Sequence, residues 1–155
     1  MEKYRTLLGV LRKQRETASM MFEAIRFIDL NVYENRYVFA LKTQQLYTII
    51  EDVLKAVAKT FENHIHDQAA FHRKLLHVMM VDIPSTRPAV LSDRSYHLLD
   101  KLRSFRHFIR HGYDYELDAD ELLLLQKKLN EGFERVIGDI TTFDIFLDNL
   151  LETDG

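Results

Sequence analysis

Residues 103–111, RSFRHFIRH, bring together Arg103, Arg106, Arg110, His107 and His111 in a chain whose formal net charge is −3. Arginine carries a fixed planar fork of donors that matches phosphate oxygens. Histidine is the side chain whose ordinary pKa lies near neutrality, so it can both take and return a proton. Like charges at i, i+3 and i+7 of a helix repel one another, and a helix that merely faced water would gain stability from interspersed Glu or Asp. The pattern therefore asks for an anion, and imidazoles beside guanidiniums point to a phosphodiester.

At 100° per residue, with Arg103 at zero, Arg106, Arg110, His107 and His111 fall at roughly −60°, −20°, 40° and 80°. Leu98, Leu102, Phe105, Phe108 and Ile109 occupy roughly 140° to 260°. One face is expected to be apolar and anchored in a bundle, the other cationic and open. The competing explanation is an ordinary solvated basic face.

The elements that must position this helix are legible from periodicity. Residues 3–30 carry Leu7, Leu8, Leu11, Met21, Ile25 and Ile28 at helical spacing, as one helix or two. From about Tyr37 to Phe61, Leu46, Ile49, Ile50, Val53, Leu54 and Val57 form a core-facing stripe. A shorter helix is expected over 68–81, followed by the loop DIPSTRPAVLSD, which holds both prolines of the chain. The cationic helix is predicted to begin near Asp93 or Arg94 and to end at Gly112, since glycine closes a helix in the left-handed conformation at no steric cost. Asp118 followed by Glu121 has the form of a capping box. The helix it opens carries Leu122, Leu125, Leu129, Val136, Ile140, Phe143, Leu147 and Leu150.

A length of 155 residues with 46% apolar residues, five glycines and two prolines predicts one domain, 1–155, of the all-α class. Its form is an up-and-down bundle of about five helices. The chain has no cysteine, which excludes disulfides, thiolate zinc sites and thiol nucleophiles and suggests a reducing compartment. Charges interrupt the apolar residues of KYRTLLGVLRKQRE, unlike a signal peptide or membrane span, so a soluble cytoplasmic protein without membrane contact is expected. A pI near 6.2 argues against a surface that coats nucleic acid broadly, so any such site must be local. There is no glycine-rich phosphate loop, G-x-S-x-G or H-E-x-x-H.

Arg106, His111 and Tyr113 reproduce the pattern R-x4-H-x-Y at the end of a penultimate helix, and FRHFIRHGYDYEL around them resembles the HepT-like toxins of the HEPN ribonuclease superfamily. His107 fits the polar residue that many members carry after the motif arginine. The resemblance covers the architecture, with residues 103–117 carrying it. It implies a HEPN-like two-fold homodimer and a metal-independent endoribonuclease, the toxin of a type VII-like module, acting on RNA that is often transfer RNA. It also implies a minimal nucleotidyltransferase antitoxin as partner, which attaches AMP to the tyrosine matched by Tyr113. No cofactor or metal is implied.

In that setting His111 is expected to act as general base on a ribose 2′-OH, giving a 2′,3′-cyclic phosphate, with the symmetry-related His111 as acid. Arg106 would stabilise charge on phosphorus, while Arg103, His107 and Arg110 would hold flanking RNA. Tyr113 could stack on a base, and AMP on its oxygen would mimic and block substrate. Two alternatives use the same residues differently: a non-catalytic helical subunit that binds substrate for a nucleotidyltransferase, and a structural dimer whose basic face meets an acidic partner.

His64, His66, His72 and His77 make a second cluster, but His64 and His66 would face opposite sides of a helix, and no i, i+4 pair is flanked by carboxylates, which argues against metal. Glu51 and Asp52 are expected to be solvated, unless one crosses the bundle or a dimer interface to orient a motif arginine. Asp114, Glu116, Asp118, Asp120 and Glu121 follow the cationic helix, and helix capping accounts for most of them. A docking surface for a basic partner is the other use the acidic run offers.

Overall fold

The computed structural model describes residues 1–62, 74–111 and 116–154, with the His111 side chain excepted. Four named helices stand among them: α1 (Glu2–Ile25), α2 (Tyr33–Phe61), α3 (Asp93–His111) and α4 (Ala119–Thr153). Residues 74–78 are also helical. They belong to the helix expected over 68–81, whose first residues lie outside the described ones.

The helices pack as a ring, α1 on α2, α2 on α3, α3 on α4 and α4 on α1, with a lighter α2–α4 contact across the middle. The expected stripes meet at its centre. Leu11, Ile25, Leu46, Ile50, Leu54, Phe133, Val136, Ile140 and Leu147 are all buried. The all-α bundle read from periodicity is the observed architecture, because each helix has one wide apolar arc and only mutual packing covers all of them. No helix among the described residues is long and apolar enough to cross a membrane.

Hydrogen bonds at the helix ends fix how the ring closes. Gln126 and Asn130 of α4 donate to the carbonyls of Ile28 and Arg26, clamping the turn that joins α1 to α2. Asp118 caps α4 by accepting from the Asp120 N–H at 2.9 Å. At the start of α3, the Ser92 hydroxyl accepts from the Ser95 N–H, while Ser92 donates from N–H and hydroxyl to Asp139 of α4. Buried Arg87, in the proline loop, donates to the carbonyls of Val78, Val81 and Pro88 and pairs with Glu62 just past α2.

Between α1 and α4, Arg12 donates to Asp144 through Nε at 2.9 Å and Nη2 at 3.0 Å, and Arg15 approaches the same carboxylate at 3.1 Å. These hydrogen bonds hold the Asp144 carboxyl below its ordinary pKa, against the opposing pull of burial. A depressed folded-state pKa stabilises the fold above the unfolded value of about 3.9, and the gain fades as pH falls through the folded value. Asp144→Asn should therefore cost about 1–3 kcal/mol at pH 7. Thermal melts at pH 7 and pH 3 check this: the gap between variant and wild type should narrow at the lower pH. A gap that stays constant would remove the charge from the explanation.

Candidate functional site

The motif helix is a 19-residue segment held on one side by α2 and on the other by α4. Its buried residues are Ser95, Leu98, Leu99, Leu102 and Arg106. That set corrects the expected division into an apolar and an open cationic face. Leu99 and Leu102 lie at roughly −40° and −100° on the wheel, so they bracket Arg106 at roughly −60°, and the covered arc runs straight through the motif arginine. Phe108, expected to be covered, is instead 44% exposed. The buried arc is turned toward the motif because α2 supplies a partner that makes an interior guanidinium tolerable.

That partner is Glu51, only 2% exposed, facing an Arg106 that is 5% exposed. Arg106 Nη1 donates to Glu51 Oε1 at 3.1 Å and Nη2 to Oε2 at 2.9 Å, a parallel bidentate pair. Nη1 also reaches the Thr48 hydroxyl at 3.2 Å, and the guanidinium carbon stands 4.5 Å from the Tyr47 ring centroid. Lys55, one turn beyond Glu51, approaches the same carboxylate at 3.3 Å. Of the two acids considered on this helix, Glu51 crosses to the motif and Asp52 stays exposed.

Tyr47 is fully buried with its hydroxyl near the Glu51 carboxylate but without a hydrogen bond of good geometry, and the hydroxyl of buried Thr43 one turn earlier has no partner among the described residues. Burial, and after it the negative charge of Glu51, pushes the Tyr47 phenol well above its ordinary pKa, so it stays a neutral donor. Tyr47, Thr48 and Lys55 were not singled out in the sequence. Their spacing around Glu51, at i−4, i−3 and i+4, is the signal that marks a polar surface on this otherwise apolar helix.

The other predicted site residues divide. Arg103 turns back along its own helix, donating to Asp100 from Nε at 3.0 Å and Nη2 at 2.8 Å, so one acid does answer the cationic run. His107 and Arg110 are exposed on the last two turns of α3. His111 ends the helix, and its side chain is outside the described residues, as are Gly112 and Tyr113. His64, His66 and His72 also lie outside them. Among the described residues no group of three or more His, Cys, Asp or Glu side chains could hold a metal ion.

Residues 38–147 match a family model described as HepT-like protein. The matched span runs from the first turns of α2 into α4 and so includes Glu51, Arg106 and the whole R-x4-H-x-Y pattern. Comparisons with curated proteins and with solved structures find no match.

Proposed function

The chain belongs to the HepT-like family, and on that ground, together with the geometry of α3, we propose that it is a metal-independent endoribonuclease, the toxin of a two-component module. The observation that carries the reading is the bidentate Arg106–Glu51 pair, which joins the motif arginine to α2 and fixes the last turns of α3. With the helix so held, His107 and Arg110 point outward beside the position of His111. Pre-organised charge of this kind lowers a barrier because no reorganisation is required during the reaction.

In the proposed reaction His111 removes the proton from a ribose 2′-OH, the oxygen attacks the adjacent phosphorus, and the bond to the 5′-oxygen breaks. The products are a 2′,3′-cyclic phosphate and a 5′-hydroxyl that receives a proton from His111 of a second subunit. Arg106, held by Glu51, would stabilise charge on phosphorus only through the N–H donors that the carboxylate and Thr48 leave over, and Arg103, His107 and Arg110 hold the flanking strand. The RNA would be transfer RNA.

A two-fold partner is supported by the surface of α2. Tyr33, Tyr37 and Leu41 are 45–56% exposed and recur every four residues. Continued along the helix, that stripe reaches Thr48, Glu51 and Lys55, so a second copy docking on it would stand beside the motif. Tyr113, two residues past the end of α3, is proposed to accept AMP from ATP through its nucleotidyltransferase antitoxin, releasing pyrophosphate. The added phosphodiester would repel RNA phosphates and occupy their cations.

The near-complete burial of Arg106 also favours a second reading, a non-catalytic subunit in which the same cations only bind the substrate of a nucleotidyltransferase. One experiment separates the two. Incubated with transfer RNA in chelator, the unmodified protein should yield fragments ending in cyclic phosphate, and protein carrying AMP on Tyr113 should yield none. Intact RNA with the unmodified protein would leave only the binding reading.

A further inference from the structure

On the flank of α3 turned away from Arg106, a second set of cations faces α4. Arg94, His97 and Lys101 stand on α3, with Lys128, Glu131 and Arg135 opposite them, around a groove of about 290 Å³. Glu131 is the one acid among the described residues of the lining, and it lies 4.0 Å from Lys127 on its own helix. Among the described residues Arg94, Lys101, Lys128 and Arg135 form no ion pair.

The register brings like charges level with each other. The helices run antiparallel, and Leu98 lies against Gly132 so closely that a Cβ there would come within 3.2 Å of the leucine. One turn along, Lys101 meets Lys128. The Lys128 ammonium is pushed below its ordinary pKa first by that neighbour and then by desolvation, with Glu131 opposing the shift. Arg94 and Arg135 line the same groove, seven residues from the first pair on each helix, so the register places them about 10 Å away along the axes as a second level of positive charge. Two cationic levels that gain nothing from each other in the folded chain are a site waiting for negative charge. Their separation suits a chain of anions better than a single ion.

Lys101 and Lys128 also wall the adjoining groove, where Phe105, Phe108, Leu122, Leu124 and Leu125 make the surface largely apolar and Glu121 adds one acid. Cations leading into a partly exposed aromatic ring are the combination that follows a nucleic-acid strand, with phosphates on the cations and bases stacked on the ring. An acidic peptide would use the cations and leave the aromatic step without a role. The joined grooves climb α3 toward its C-terminal end, where the motif lies.

We propose that the groove between α3 and α4 is a second binding site, separate from the motif, that takes the phosphodiester backbone of a single RNA strand; the proposal rests on RNA being the substrate. It gives the protein a way to hold the strand that leaves the motif.

The test uses the full chain and fluorescein-labelled 2′-O-methyl RNA of about 12 nucleotides. This probe lacks the nucleophile of the proposed cleavage, so binding is read without altering the motif. Lys101→Gln/Lys128→Gln should weaken binding about tenfold and reduce the slope of log K against log salt by about 1.4, the loss of two phosphate contacts to a single strand. Its Tm should hold or rise, because a like-charge contact is gone. Lys101→Arg/Lys128→Arg should restore affinity, and the exposed pair Lys42→Gln/Lys59→Gln should bind as wild type does. The proposal is overturned if the two glutamine doubles bind alike, if the probe does not bind, or if polyglutamate of similar length binds the groove as tightly as RNA. A protein that leaves RNA intact in chelator yet shows this groove dependence would end the nuclease reading and keep the groove. One that cuts RNA with no groove dependence would do the reverse.

Discussion

Replacing Glu51 with alanine is expected to destabilise the protein by about 3–5 kcal/mol, because it leaves the Arg106 guanidinium buried without a counter-charge. For a chain of this length that corresponds to a fall in Tm of roughly 6–20 °C. Both partners are almost wholly withdrawn from water, at 2% and 5% exposure, so the pair belongs with buried ion pairs and not with surface pairs worth about 0–1 kcal/mol. Removing both charges together, as in Glu51→Leu/Arg106→Met, should restore much of the loss, since neither variant side chain then needs solvation in the interior. Chemical denaturation of Glu51→Leu, Arg106→Met and the double completes the cycle. A cost below about 1 kcal/mol for Glu51→Ala would show that water reaches the pair. The arrangement around Arg106 would then have to be rebuilt.

His111→Ala is expected to lower RNA cleavage in chelator by about 100- to 10,000-fold, the range typical of losing a positioned general base or acid. A melting curve recorded beside the activity should show the variant folded at the assay temperature, so that the loss is one of chemistry. This separates it from Arg106→Ala, which removes an interior ion pair and should reduce stability and cleavage together. If one His111 from each subunit acts in each cleft, mixing inactive His111→Ala protein with wild type should lower the specific activity of the wild-type chains. Cleavage by His111→Ala at the wild-type rate would sink the mechanism while leaving the family and the fold untouched.

The fold was largely legible because its signals are local. The stripe from Leu46 to Val57 needs only helical spacing, and both prolines of the 82–93 loop forbid a helix interior there. The beginning of α3 at Asp93 and the cap at Asp118 were readable from single residues. The motif likewise stands in the sequence, and the family match over residues 38–147 contains it.

The environment of the motif was legible only as an open alternative, the pairing of Glu51 or Asp52 with a motif arginine. A helical wheel gives the angle of Arg106 but not which arc the neighbouring helices cover, and that depends on where α2 and α4 lie. Glu51 and Arg106 are 55 residues apart, and Lys101 and Lys128 belong to different helices, so no spacing rule connects either pair. The sequence by itself determined the helices, their apolar faces and the residue types available for chemistry. Tertiary packing decided which charges are interior and paired, which crowd against a like charge, and which face water, because the energy of a charge is set by the groups and the dielectric around it and not by its place in the chain.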